Sequence, residues 1–114
     1  MKEIKAIIQP FLLTKVVDAL KKIDGLPGLT VDSDVRGFGR SRASEAKHKI
    51  IDDIVEYAPK AKLEIVVPDD MVEITVETIL EHAHTGNPGD GKIFIINVED
   101  VIKIRTKQRG EQAL

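Results

Sequence analysis

The sequence contains no cysteine and no tryptophan, and aromatic residues make up only 4% of its 114 positions. The lack of cysteine excludes disulfides, thiolate metal sites and cysteine nucleophiles. The low aromatic content means that the core must be built from Ile, Val, Leu and Ala, and it argues against a deep aromatic pocket for a cofactor. A chain of this length fits one domain, which we place at residues 1–114, and can bury a substantial core.

The chain also lacks an excess of charge of either sign, with 17 basic and 19 acidic residues and a net charge of -2. This balance argues against nucleic acid as the main partner. The N-terminal stretch MKEIKAIIQ lacks the apolar segment of a signal peptide, and no apolar run approaches the roughly 18 residues of a membrane span. We therefore expect a soluble, cytoplasmic protein without direct membrane insertion.

One glycine-rich stretch, TGNPGDGKIF at Thr85–Phe94, joins two patterned elements. Gly86, Gly89 and Gly91 permit positive φ and close backbone approach, so consecutive N–H groups can form a concave nest for an anion. Lys92 adds a positive charge. The spacing matches neither the P-loop nor the dinucleotide motif. The residues alone leave two interpretations, a phosphate site and an ordinary helix-to-strand turn.

Hydrophobic periodicity predicts four strands, at 2–8, 29–38, 61–67 and 92–98. The second strand places Leu29, Val31, Ser33 and Val35 on one side. A first helix is predicted from an N-cap at Thr14 to Asp24 and Gly25. A second helix is predicted after a cap at Asp69 or Asp70, with an apolar stripe formed by Val72, Val76, Ile79, Leu80 and Ala83.

The element order is βαβ, a long excursion at 39–54 without a sustained period, and βαβ again. This order predicts an α+β, ferredoxin-like βαββαβ sandwich, with two helices on one face of a four-stranded antiparallel sheet. The other face of the sheet would be uncovered, which predicts burial against identical subunits. We expect residues 107–114 to form a mobile C-terminal tail.

Several stretches together resemble the PII signal-transduction family (nitrogen regulatory protein P-II). They follow in family order from Met1 to Thr106: MKEIKAIIQPF, GLTVDSDVRGFGR, PKAKLEIVV, TGNPGDGKIF and VEDVIKIRT. The resemblance implies a homotrimer of ferredoxin-like subunits that binds ATP or ADP, with Mg²⁺ accompanying ATP, in clefts between subunits. It also implies that a long loop, the T-loop at about 39–54, docks on a protein partner such as a transporter, an enzyme or a regulator.

The resemblance assigns the nucleotide site residue by residue. Lys103 and Arg105, from a neighbouring subunit, would complete the set of cations around the phosphates. Without the resemblance, both would be interpreted as solvent-exposed charges. Lys103 stands where the family usually has arginine, and lysine lacks the bidentate fork of the guanidinium. The implied nucleotide-binding residues are Ile7, Thr30, Gly37, Phe38, Gly39, Arg40, Glu64, Val66, Thr85, Gly89, Asp90, Gly91, Lys92, Lys103 and Arg105.

The T-loop departs from the family pattern. Asp53 stands where many members carry the tyrosine that is uridylylated, so we do not expect uridylylation. Ser41 stands where many members carry a glutamine that helps to hold 2-oxoglutarate, whereas the matching lysine, Lys60, is present. Because serine has no side-chain amide, the sequence leaves 2-oxoglutarate binding open.

No constellation of catalytic residues is compelling. The family resemblance implies a non-catalytic regulator of nitrogen, carbon or energy metabolism, and this is our prediction. The alternative from another class is a trimeric divalent-metal-binding or metal-responsive protein, in which His48 from three loops would converge. His82 and His84 are two residues apart and cannot lie on the same helical face. The more ordinary interpretation is that all three histidines lie at the surface.

Overall fold

The computed structural model describes residues 1–39 and 58–114 of the chain, and the central part of the predicted T-loop lies outside these ranges. Short 3₁₀ turns precede both helices, at Pro10–Leu12 and Asp69–Met71. The main elements are β1 (Lys2–Ile8), α1 (Leu13–Lys21), β2 (Leu29–Gly37), β3 (Ala58–Val67), α2 (Val72–Ala83) and β4 (Lys92–Asn97).

The four strands form one sheet in the order β2-β3-β1-β4, and each neighbouring pair is antiparallel. Lys2 of β1 lies opposite Val67 on one side and Asn97 on the other. Both helices pack on the same face, which confirms the predicted ferredoxin-like βαββαβ fold. All four predicted strands are confirmed, with β3 beginning three residues earlier than expected.

The core follows from the alternation of apolar residues along β1 and β3. Every second residue of each strand is buried against the helices, while the residues between them face the opposite side, here called the open face. Val16 and Leu20 of α1 and Val72, Ile79 and Ala83 of α2 complete the core. The buried residues of the two strands are Ile4, Ala6, Ile8, Ala61, Leu63, Ile65 and Val67.

A β-bulge interrupts β2, where the pairs Asp32↔Lys62 and Val35↔Lys60 leave one extra residue on β2. The Asp34 N–H donates to Asp32 Oδ1 at 3.0 Å within the bulge. Because of the extra residue, Val35 lies on the open face and not on the side of Leu29. The simple alternation predicted for this strand is therefore wrong beyond Asp32.

The predicted helix caps are also wrong. Thr14 lies inside α1, whose N-cap is Leu12, and the N-cap of α2 is Met71; neither residue makes a side-chain capping hydrogen bond. In both cases a 3₁₀ turn leads into the helix in place of a capping side chain. The stripe of α2 differs as well, since Leu80 is 55% exposed and Thr75 is buried with its hydroxyl donating to the Met71 carbonyl at 2.7 Å.

The C-terminal segment, predicted to be a mobile tail at 107–114, instead folds back as a hairpin. Ile102 and Arg109 form a β-bridge, and the Gly110 N–H donates to the Val101 carbonyl at 2.9 Å. The Asp100 carboxylate accepts from Arg109 Nε at 2.9 Å, and Ala113 is buried. The polar composition of the segment suggested a tail without contacts. The contacts form with Asp100 and Val101, which precede the segment, so they could not be deduced from its composition.

The open face carries apolar side chains that no element within the described ranges covers fully. Phe94 and Ile96 of the edge strand β4 are 45% and 41% exposed, and they lie opposite Lys5 and Glu3 of β1. The open face is therefore a surface that a partner could bury.

None of the helices in the described ranges is long and apolar enough to cross a membrane.

A pair of neighbouring substitutions in α2 tests the core assignment. We expect Ile79→Ala to lower the free energy of unfolding by about 2–5 kcal/mol, because it removes buried methylenes and leaves a cavity. Leu80→Ala, the control, should change it by less than about 0.5 kcal/mol. Chemical denaturation followed by circular dichroism gives both values, and equal losses would contradict the assigned faces of α2.

Candidate functional site

Residues 85–91, between α2 and β4, are here called the glycine turn. The Asp90 carboxylate accepts hydrogen bonds from the first residues of this turn. Asp90 Oδ2 accepts from the N–H groups of Thr85 at 2.8 Å and Gly86 at 2.9 Å. The Thr85 hydroxyl donates to Asp90 Oδ1 and accepts from the Asn87 N–H. Three backbone donors at the start of the turn are thus used inside the turn.

The second half of the turn lies directly on the end of β1. A side chain at Gly91 would place its Cβ only 1.7 Å from the Ile7 carbonyl oxygen, and Gly91 has φ +95°. Only glycine permits both this backbone conformation and this close approach. The contact fixes the position of Lys92, the first residue of β4, whose side chain is exposed at the edge of the open face.

Two further side chains hold the turn at Gly89. Lys60 of β3 donates from Nζ to the Gly89 carbonyl oxygen at 2.8 Å. The Gln9 side-chain nitrogen lies 2.9 Å from the point that a Cβ on Gly89 would occupy. The turn is therefore hydrogen-bonded to β3 through Lys60, and the Lys60 ammonium and the Gln9 amide both lie close to Gly89.

The hydrogen bond from the Thr85 hydroxyl is the largest cause that holds the pKa of Asp90 below its usual value. The Thr85 and Gly86 backbone donors act in the same direction, and the nearby His84 adds a smaller favourable interaction with the carboxylate. The His84 ring also lies over Gly86, with Cε1 3.7 Å from the position of a Cβ there. Asp90 therefore stays ionised to a lower pH than an ordinary aspartate does.

A groove of about 320 Å³ lies on the open face, at the other end of the sheet. The residues that line the groove are Glu3, Pro27, Gly28, Thr30, Glu64, Val66 and Leu114. Lys62 Nζ forms an ion pair with Glu64 at 3.3 Å, and its hydrogen bond is the largest cause that holds the pKa of Glu64 below its usual value. The groove thus presents carboxylate acceptors beside an apolar wall.

The glycine turn and the groove are separate candidate half-sites on one chain. Lys60, at the turn, and Val66, in the groove, are six residues apart on β3, which is about 20 Å along the strand. The ion pair between Lys62 and Glu64 occupies the surface between them. The structure therefore gathers many, but not all, of the predicted residues into these two groups.

The predicted site residues fall as follows. Ile7, Lys60, Thr85, Gly89, Asp90, Gly91 and Lys92 gather at the glycine turn, and Thr30, Glu64 and Val66 gather at the groove. Gly37 ends β2, with Phe38 and Gly39 exposed after it, and Lys103 and Arg105 lie on the C-terminal hairpin. Arg40, Ser41 and His48 lie outside the described residues.

Sequence reasoning missed Gln9 and Glu3. Gln9 ends the run of β1 immediately before Pro10, and Glu3 alternates with Ile4 so that it faces away from the core. The position of Glu3 could be deduced from the alternation of β1. The contact of Gln9 with Gly89 depends on the fold, because 80 positions of chain separate the two residues.

The described residues contain no group of three or more His, Asp or Glu side chains that could hold a metal ion. His82 Nδ1 lies 2.8 Å from the Thr78 carbonyl oxygen, so this nitrogen carries the proton and donates within the helix. His84 lies over the glycine turn. The two rings thus have separate surroundings, as the spacing predicts.

Substitution of Gly91 tests the contact with β1. We expect Gly91→Ala to lower the free energy of unfolding by more than about 2 kcal/mol, because it combines positive φ with a backbone clash. Gly25→Ala is the matched control, since Gly25 has φ +77° with open space around its Cβ position; its cost should be about 1 kcal/mol. Equal losses in denaturant melts would argue against the close approach of the turn to Ile7.

The depressed pKa of Asp90 predicts a defined pH dependence. The stabilising contribution of the ionised carboxylate is fully present above the ordinary pKa of aspartate, about 3.9, and is lost as the pH falls through the lower pKa of the folded state. We therefore expect Asp90→Asn to flatten the decline of stability between about pH 4 and pH 2. Asp18→Asn, on the exposed side of α1, is the control, and identical acid profiles for wild type and Asp90→Asn would contradict the prediction.

Comparison with known proteins gives a consistent result. The family described as "Nitrogen regulatory protein P-II" matches residues 1–108. The chain is 46% identical to "Nitrogen regulatory protein P-II 1" of Escherichia coli and 43% identical to "Nitrogen regulatory protein P-II" of Azospirillum brasilense, in each case over the full length of both chains. The solved structure of Arabidopsis thaliana PII bound to citrate matches with a TM-score of 0.77 and 44% identity, covering 98% of this chain and 87% of that one. The chain therefore belongs to the PII family of nitrogen regulatory, signal-transduction proteins.

Proposed function

We propose that this regulator binds ATP and ADP in competition, at sites formed between two copies of the chain. The observation that carries the proposal is the separation of the glycine turn from the groove on one open face. A ligand with a charged end and a neutral end would use the turn of one copy and the groove of the next. The assembly proposed is the cytoplasmic homotrimer of the family, with three such sites and no catalytic function.

The chemistry of the two half-sites suits the two ends of a nucleotide. Lys92 and the backbone of the turn offer donors to phosphates, as would Arg40 and, from the C-terminal hairpin of the other copy, Lys103 and Arg105. The groove offers carboxylates and Val66, which suit the hydroxyl and amine donors and the apolar ring of a nucleoside. Mg²⁺ would accompany ATP by bridging its phosphate oxygens.

The open face supports association of identical chains. Phe94 and Ile96 are large, exposed and adjacent to the half-sites, and burial of such side chains is the main favourable contribution to association. The face also carries Lys5, Lys62 and Glu64, which give it both signs of charge. A copy that covers this face would bring its groove to a neighbouring turn and complete the site.

The structure suggests how ligand occupancy would reach a protein partner. β2 leads from Thr30 in the groove to Gly37 at one root of the T-loop, and β3 returns from the T-loop at Ala58. Lys60 lies two residues into β3 and contacts the glycine turn. A third phosphate at the turn would compete with the Gly89 carbonyl for Lys60, so ATP and ADP would bias the T-loop differently.

A small carboxylate is the proposed second ligand. Citrate is bound by the Arabidopsis PII in its solved structure. In this chain the ammonium group of Lys60 and the amide group of Gln9 lie side by side, which suits a carboxylate. We propose 2-oxoglutarate as the carboxylate to test first, with Ser41 contributing only its backbone and hydroxyl.

The proposal is tested by isothermal titration calorimetry with ATP and ADP, with Mg²⁺ and with or without 2-oxoglutarate. We expect Lys92→Ala to weaken ATP binding about ten- to a hundredfold, because it removes a charged donor from the phosphates. Lys15→Ala, on the exposed side of α1, is the control and should bind as wild type does. Unchanged ATP affinity in Lys92→Ala would refute the assignment of the site.

A further inference from the structure

In the glycine turn, the side chains of Asp90 and Thr85 form hydrogen bonds with other groups of the turn. Both carboxylate oxygens of Asp90 accept from Thr85 or Gly86, and the Thr85 hydroxyl both donates to Asp90 and accepts from the Asn87 N–H at 3.1 Å. This set of contacts is here called the clasp. It closes the loop of residues 85–90 across the junction of α2 and β4.

We infer that Asp90 and Thr85 are positioning residues that act through the clasp, and that neither side chain contacts the nucleotide. The inference rests on the proposed nucleotide site and changes the roles of two residues within it. The clasp holds the first half of the turn, so that the second half, Gly89–Lys92, presents its backbone and the lysine to the phosphates.

The charges of the site support this division. A carboxylate that faced the phosphates would repel them, whereas the three donors of the clasp compensate the charge of Asp90. The cations that lie towards the turn from other elements are Lys60 of β3 and Lys92 of β4, and the titratable His84 lies at the end of α2. Among residues 1–39 and 58–114, Lys60 and Lys92 are the cations placed at the second half of the turn.

A double-mutant cycle tests the inference. We expect Asp90→Asn and Thr85→Val each to weaken ATP binding about tenfold. The double variant should bind no worse than the weaker single variant, because both changes open the same clasp. The loss should also be the same for ATP and GTP and with or without Mg²⁺, since neither side chain contacts the base or the metal. Thr85→Ser, which keeps the hydroxyl, should bind as wild type does.

Two variants control for general effects of the same chemistry. Thr78→Val removes a hydroxyl that donates to the Ile74 carbonyl on α2, and Asp18→Asn removes an exposed carboxylate of α1. Both should leave nucleotide affinity unchanged. Losses that multiply in the double variant, or that depend on the base or on Mg²⁺, would overturn the inference because they would indicate direct contacts.

Amide hydrogen exchange measured by NMR without nucleotide separates this inference from the proposed function. The Thr85, Gly86 and Asn87 amides should be protected in the wild type, and the first two should lose protection in Asp90→Asn. Unprotected amides in the wild type would overturn the clasp. Failure of the wild type to bind any nucleotide would overturn the proposed function and with it the positioning role, even if the amides are protected.

Discussion

The contact between the Gly91 backbone and the Ile7 carbonyl determines where the candidate site lies. It seats the glycine turn on the end of β1, and β1 is the strand from which both β3 and β4 take their register. Lys92 and the Lys60–Gly89 hydrogen bond have defined positions because the turn cannot slide along the strand. A residue with any side chain at position 91 would move the turn away from the sheet.

The two faces of the sheet differ in character, because alternate residues of each strand lie on opposite faces. The helix face is aliphatic and closely packed, which stabilises the subunit. The open face combines apolar side chains with an ion pair and carries both half-sites. Stability and the proposed ligand binding therefore depend on alternate residues of the same strands, so that a change of register by one residue would disturb both.

The fold could be predicted almost completely from the sequence, because it depends on local periodicity. The strands β1, β3 and β4 and both helices have clear apolar patterns, and the alternation of β1 also indicates that Glu3 faces outward. The bulge in β2 could not be predicted, since LTVDSDV alternates regularly in either register. The buried Thr75 and the exposed Leu80 likewise depend on how α2 is rotated against the sheet.

The site was less accessible to sequence reasoning than the fold. The glycine-rich stretch alone left an anion site and an ordinary turn both open, and the family resemblance assigned the remaining residues. Neither could show that Thr85 and Asp90 bond to each other, or that Gln9 meets Gly89, because these contacts depend on the path of the turn. The hairpin at the C-terminus was missed for the same reason, since Asp100 and Gly110 meet only in three dimensions.

The central claim is that one chain holds two incomplete half-sites, and complementation between variants tests it most directly. Lys92→Ala disables the turn and Glu64→Ala disables the groove, so neither variant alone should bind ATP tightly. When the two are unfolded together and refolded as mixed oligomers at equal amounts, about one quarter of the sites should combine an intact turn with an intact groove. Recovery of that fraction of tight sites in a calorimetric titration is the predicted result. No recovery, with mixed oligomers demonstrated by mass spectrometry, would contradict the account.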